Sequence, residues 1–250
     1  MDLTFQDPGL GYSVDSIMDF QTGDQSDFWK APLFYFYPQL DRVRFDALPP
    51  KEQVGYLKNT LQEVYDSALI AQKVESYQVH WESNRKVVEE AMSDAFGLDP
   101  GALYNDLVVN VTLNSISPRY LQERRFDVFY LNSPKGALGV SLHEMVHFLW
   151  FYVWNRHFGD SFAEYETPHL KWVLSEMAVE PIMRDERLRA RNPYFESGCV
   201  YDYFYQMRID GAPILDTLNK MYHAAPIESF MEQSYAYCLT HEKEIRAQMR

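Results

Sequence analysis

Apolar residues recur at helical spacing over residues 51–72, where Val54, Leu57, Leu61, Val64, Tyr65 and Leu69 share a face behind the start signal Pro49-Pro50. A second helical pattern covers 77–96 and is closed by Gly97 and Pro100. Its polar side, with Glu82, Arg85, Glu89 and Glu90, reads as a solvated face. The period then drops to two. In DLVVNVTLN (106–114) Val109, Val111 and Leu113 alternate within a β-branched run, which predicts a strand, and FDVFYL (126–131) predicts another. The segment between them holds Pro118 and is too long for a tight hairpin. Helical spacing returns over 137–156, 169–189, 214–222 and 226–243. Residues 1–50 carry turn formers and an aromatic cluster, FWKAPLFYFYPQL (28–40), with no periodic element read there.

These elements predict an α+β fold, mostly helical, with a small sheet of two to four strands packed beside the central helix at 137–156. The expected organisation is one domain over 1–250. Within it, 1–105 form a mostly helical N-terminal part, 106–190 the sheet and two helices, and 191–250 a helical C-terminal part.

Composition narrows the function classes. With 250 residues, 46% of them hydrophobic, the chain can bury a substantial core. A formal charge of −13 argues against nucleic acid, which needs a surplus of Lys and Arg on some face, and against an acidic membrane surface. It favours a neutral or basic partner such as a peptide. The first twenty residues are acidic where a signal peptide is basic, and runs such as 149–154 are too short to span a bilayer. Cys199 and Cys238 are too few and too far apart for a disulfide scaffold or a zinc knuckle, and read as buried thiols. The expected location is cytoplasmic, without membrane association.

The central helix carries chemistry. GVSLHEMVHFLWFYVW (139–154) is among the most apolar stretches, yet it contains His143, Glu144 and His147. Four residues in an α-helix rotate by about 40° and rise by about 6 Å, so both imidazoles project from one face and can share a cation. Glu144 lies about 100° from His143, within reach of a water on that cation without being forced to bind it. This H-E-x-x-H pattern supplies two nitrogen ligands for Zn²⁺ and a carboxylate as general base. Burying these polar groups among Leu142, Val146, Phe148, Leu149 and Trp150 is costly unless a partner such as a metal compensates. A catalytic zinc needs a third protein ligand and an open position. Trp150 and Val153 stand where a metzincin-type pattern has Gly and His, so that class is rejected. His157 is about 280° round the same helix from His147, and His169 reads as a surface or capping residue.

The stronger source of a third ligand is HLKWVLSEMAVEPIM (169–183). His143-Glu144-x-x-His147 followed by Trp172-x-x-Ser175-Glu176 resembles the gluzincin group of zinc metallopeptidases. The resemblance covers roughly residues 126–183. It implies a zincin-like fold, a zinc-dependent peptidase, His143, His147 and Glu176 as ligands, and Glu144 as base. It also implies that the aromatic strand at 126–131 is an edge strand binding substrate backbone by strand addition. Two features depart from the group. FGDSFAEYETP lengthens the interval between His147 and Glu176, and Met177 replaces the usual Gly after the glutamate. Glu180, one turn on, is the alternative ligand. The group also uses a Tyr or His from a C-terminal helical part to stabilise an oxyanion. Tyr201, Tyr203, Tyr205, Tyr222, Tyr235, Tyr237 and His241 qualify, and His223 in NKMYHAAP is the selected residue. Two further expectations compete with the peptidase. One is a helical-bundle metal protein with a His80, His143 and His147 site, which resembles small metal-dependent transferases and hydrolases. The other is a non-catalytic zincin-like protein acting through partner binding.

Overall fold

A computed structural model describes residues 1–22 and 27–249, apart from the side chain of Ser197. The chain is mostly helical with a small mixed sheet, an α+β fold. It divides into two compact units, Met1–Ser83 with Tyr104–Val140, and Asn84–Leu103 with Ser141–Arg250.

In the first unit, β1 (Leu3–Gln6) is followed by α1 (Gly9–Gln21), α2 (Asp27–Phe36), α3 (Arg42–Ala47), α4 (Pro50–Gln62) and α5 (Ser67–Phe96), the last continuing into the second unit. Then come β2 (Leu107–Thr112), β3 (Arg119–Tyr120) and β4 (Arg125–Phe129). The sheet order is β1-β2-β4-β3, with β1 and β4 parallel to β2 and β3 antiparallel to β4. The parallel pairing explains why 115–125 is no hairpin: it is a crossover that carries β3. The central strand β2 is buried along nearly its whole length, as a strand with parallel neighbours requires. Helix α1 packs on it and supplies Tyr12 and Ser16, whose hydroxyls donate to the buried Asp127 carboxylate at 2.8 Å each. Asn110 Nδ2 adds a third bond at 3.2 Å.

Residues 1–50, where no periodicity is read in the sequence, hold one strand and three complete helices among the described residues. The structure corrects two expectations here. The break between the first two predicted helices falls at 63–66, where the Asp66 carboxylate caps α5 by accepting from the Ala68 and Leu69 N–H groups. Strand β4 is not an edge strand. Arg119 and Tyr120 pair with Phe126 and Arg125, and the Asp127 N–H donates to the Pro118 carbonyl.

The second unit adds α6 (Pro100–Leu103), α7 (Pro134–Phe158, entering from the first unit), α8 (Leu170–Met183), α9 (Glu186–Arg189), α10 (Phe195–Gly198) and α11 (Asp202–Gln206). The β5–β6 ribbon (Arg208–Ile209 and Ala212–Pro213), α12 (Ile214–Ala224), α13 (Ile227–Thr240) and α14 (Glu242–Gln248) complete it. Its centre is α8, buried at all fourteen positions and packed against α12 and α13. Helix α7 meets α13 through Trp150 on Phe230 and Trp154 on Tyr235. No helix among the described residues is long and apolar enough to cross a membrane. Both cysteines are free and buried.

Candidate metal centre

Helix α7 starts at Ser133, whose Oγ accepts from the Gly136 N–H at 3.0 Å, with Pro134 in the first turn where its missing donor costs nothing. It ends at Gly159, which takes φ +68° while its N–H bonds the Asn155 carbonyl. Between these stops His143 and His147 share the face that meets α8. A short 3₁₀ turn (Phe162–Tyr165) joins the two helices. There Asp160 accepts from Trp154 Nε1 at 3.0 Å and also from Tyr165 Oη and Lys171 Nζ. Lys171 opens α8, is only 9% exposed, and also pairs with Glu164. This cluster clamps the end of one ligand-bearing helix to the start of the other.

The two imidazoles and one carboxylate converge. The Nε2 atoms of His143 and His147 stand 3.0 Å apart, and Glu176 places Oε2 at 3.4 Å from the first and Oε1 at 3.3 Å from the second. Ligand atoms about 2.1 Å from a common tetrahedral centre lie about 3.4 Å apart, so the spacing and the donor types fit a zinc ion. His147 and Glu176 are 0% and 2% exposed, whereas the His143 side chain is 21% exposed. The cluster is therefore buried on the α8 side and reaches solvent beside His143.

A third wall comes from residues 198–206. The His143 Nδ1–H donates to the Cys199 carbonyl at 3.0 Å, a bond that leaves the Nε2 lone pair of the neutral ring facing Glu176. Tyr203, on α11, lies within the electrostatic influence of Glu176. Burial pushes its hydroxyl pKa up and the nearby carboxylate pushes it further, so the hydroxyl keeps its proton at neutral pH.

Against family models, curated proteins and solved structures, the chain finds no match. The site therefore stands on its own residues.

Glu144 follows His143 on α7 and is buried. Glu180, the alternative ligand, is outside the convergent group and accepts from Arg184 Nε at 2.9 Å. Burial raises its pKa, and the bond from Arg184 opposes that rise. His223 is exposed on the last turn of α12 against Tyr222. It lines a cavity of about 510 Å³ with Asp94, Arg184, Asp185 and Glu228, and no member of the ligand cluster borders that space. His80 lies on α5 in the first unit and belongs to neither convergent group among the described residues. His157 pairs with Glu232 at 2.8 Å, and His169 occupies the N-cap of α8 without a side-chain capping bond. The second convergent group, Asp210, His241 and Glu244, is largely exposed and more loosely spaced, at 3.7 and 3.8 Å.

Sequence reasoning missed the Cys199 carbonyl and left Tyr203 undistinguished from its neighbours. A main-chain acceptor has no side-chain signature. In YFESGCVYDYFY (194–205), only the glycine before Cys199 marks a special backbone.

Proposed function

We propose that this protein is a zinc-dependent hydrolase of the gluzincin kind, with a zincin-like fold, cleaving a peptide or amide bond. The observation that carries the reading is the convergence of His143, His147 and Glu176 on one point beside a buried HExxH glutamate. His143, His147 and Glu176 would hold the ion. Zinc so held acidifies a water and polarises a carbonyl. Glu144 accepts the proton of the attacking water and returns it to the leaving amine. Tyr203, in place of His223, donates its hydroxyl hydrogen to the oxygen that gains charge as the carbonyl is attacked. The exposed edge of His143 sets the side from which substrate enters. A neutral or basic peptide suits the net charge of −13.

The test is a peptide-library screen of the zinc-loaded full chain beside Glu144→Gln. The unmodified chain is expected to cleave. The variant is expected to retain zinc and lose about 10²–10⁴-fold in rate. Equal turnover by both would remove Glu144 from the chemistry, and retained zinc with no cleavage by either would leave a binding protein.

A further inference from the structure

The backbone of Cys199 is held from two directions. Its carbonyl takes the His143 Nδ1–H at 3.0 Å, and its own N–H donates to Tyr205 Oη at 3.0 Å. The Cys199 thiol lies 3.5 Å from the same hydroxyl. The residue before it, Gly198, adopts φ +118°, a conformation open to glycine at no steric cost. A Cβ there would meet Asp202 Oδ1 at 3.5 Å and the Tyr205 ring at Cε2 at 3.8 Å, both ordinary contacts, so any cost of a side chain lies in the backbone angle. Tyr205 is 41% exposed. Its ring contributes little to a core, while its hydroxyl is engaged by a main-chain group that touches a ligand.

We propose that Tyr205 is a positioning residue of the metal centre, holding the backbone of Cys199 so that the Cys199 carbonyl fixes the ring orientation and tautomer of His143. The inference rests on the metal reading above. An imidazole has two nitrogens, and only the one without hydrogen can bind a cation. Bonding Nδ1–H to a fixed carbonyl assigns the lone pair to Nε2, the atom that faces Glu176 and His147. His143 needs this more than His147 because it is the partly solvated imidazole of the pair, where rotation or the other tautomer is least opposed by packing. Tyr205 acts through the Cys199 backbone and is outside the convergent group of His143, His147 and Glu176. The glycine at 198 lets the chain turn so that Cys199 presents its carbonyl to His143 and its N–H to Tyr205, through the two peptide groups that flank its Cα.

The test uses metal alone on the full chain. Zinc affinity is measured by chelator competition, Co²⁺ binding by its visible spectrum, and the melting midpoint on metal-free protein. Tyr205→Phe is expected to weaken zinc roughly tenfold, the lower end of what outer partners of a ligand histidine contribute, and to alter the Co²⁺ spectrum. The metal-free midpoint should stay in place. Gly198→Ala, which moves the same carbonyl by another route, is expected to weaken zinc in the same direction. Unchanged zinc affinity in Tyr205→Phe overturns the proposal, and so does a loss matched by a fall in the metal-free midpoint. His147→Ala separates the layers: if it binds zinc as tightly as the unmodified chain, the metal reading itself fails. If it releases zinc while Tyr205→Phe does not, only the role of Tyr205 falls.

Discussion

His147 Nε2 lies 3.3 Å from Glu176 Oε1, joining two helices whose ligand residues are 29 positions apart along the chain through a contact almost sealed from water. An imidazole and a carboxylate buried together are costly groups unless each is compensated, and a shared divalent cation compensates both.

Removing either group should therefore empty the site. His147→Ala and Glu176→Ala are each expected to lower zinc affinity by about a hundredfold or more, beyond the effect of altering outer partners. His80→Ala should leave it unchanged. Equilibrium dialysis with metal analysis checks this, and zinc loss in His80→Ala alone would restore the three-histidine alternative.

Tyr203 is expected to act on rate. Tyr203→Phe should reduce kcat by about a hundredfold, the scale of losing one donor to a developing oxyanion, with KM and bound zinc little changed. Steady-state kinetics on a substrate found in the library screen, with metal analysis alongside, measures both.

The clamp around Asp160 links stability to acidity. Burial by itself would raise the Asp160 pKa, but bonds from Lys171, Tyr165 and Trp154 outweigh it and hold the carboxyl below the usual range. A depressed folded pKa means stability that is present above the unfolded value near 3.9 and lost as pH falls through the folded value. Asp160→Asn is expected to destabilise by about 1–2 kcal/mol at pH 7, allowing for partial exposure, and the gap should close below about pH 4. Urea titrations of both proteins across that range test the sign.

Much of the site was legible because it is local. The four-residue spacing of His143 and His147 and the position of Glu144 follow from helix geometry alone. Glu176 was legible only through a resemblance, since nothing in 169–183 says which neighbour it faces. His223 lines a space that the ligand cluster does not border, and a histidine before a proline-started helix signals a helix end without giving its direction in space. In the fold, the strands of 106–131 announced themselves by alternation, while the four residues of β1 are too few to show a period. Apolar spacing ran unbroken through Val64 and Tyr65, which hid the fresh helix start that Asp66 caps.

The placement of β1 also has a kinetic side. Gln6 and Asn110 are register partners and bond side chain to side chain across 104 positions of chain. Strands β2 and β4 are joined by a short crossover, so their pairing closes a much smaller loop and meets a lower entropic barrier. Refolding should thus assemble β2 with β4 first and admit β1 late. Pulse-labelled amide exchange is expected to find Thr4 and Gln6, on the side of β1 turned to β2, protected after Val108, whose N–H bonds the Arg124 carbonyl, and Val128. Until then one side of β2 is an unpaired strand edge, the state in which a refolding chain is most open to pairing with another molecule.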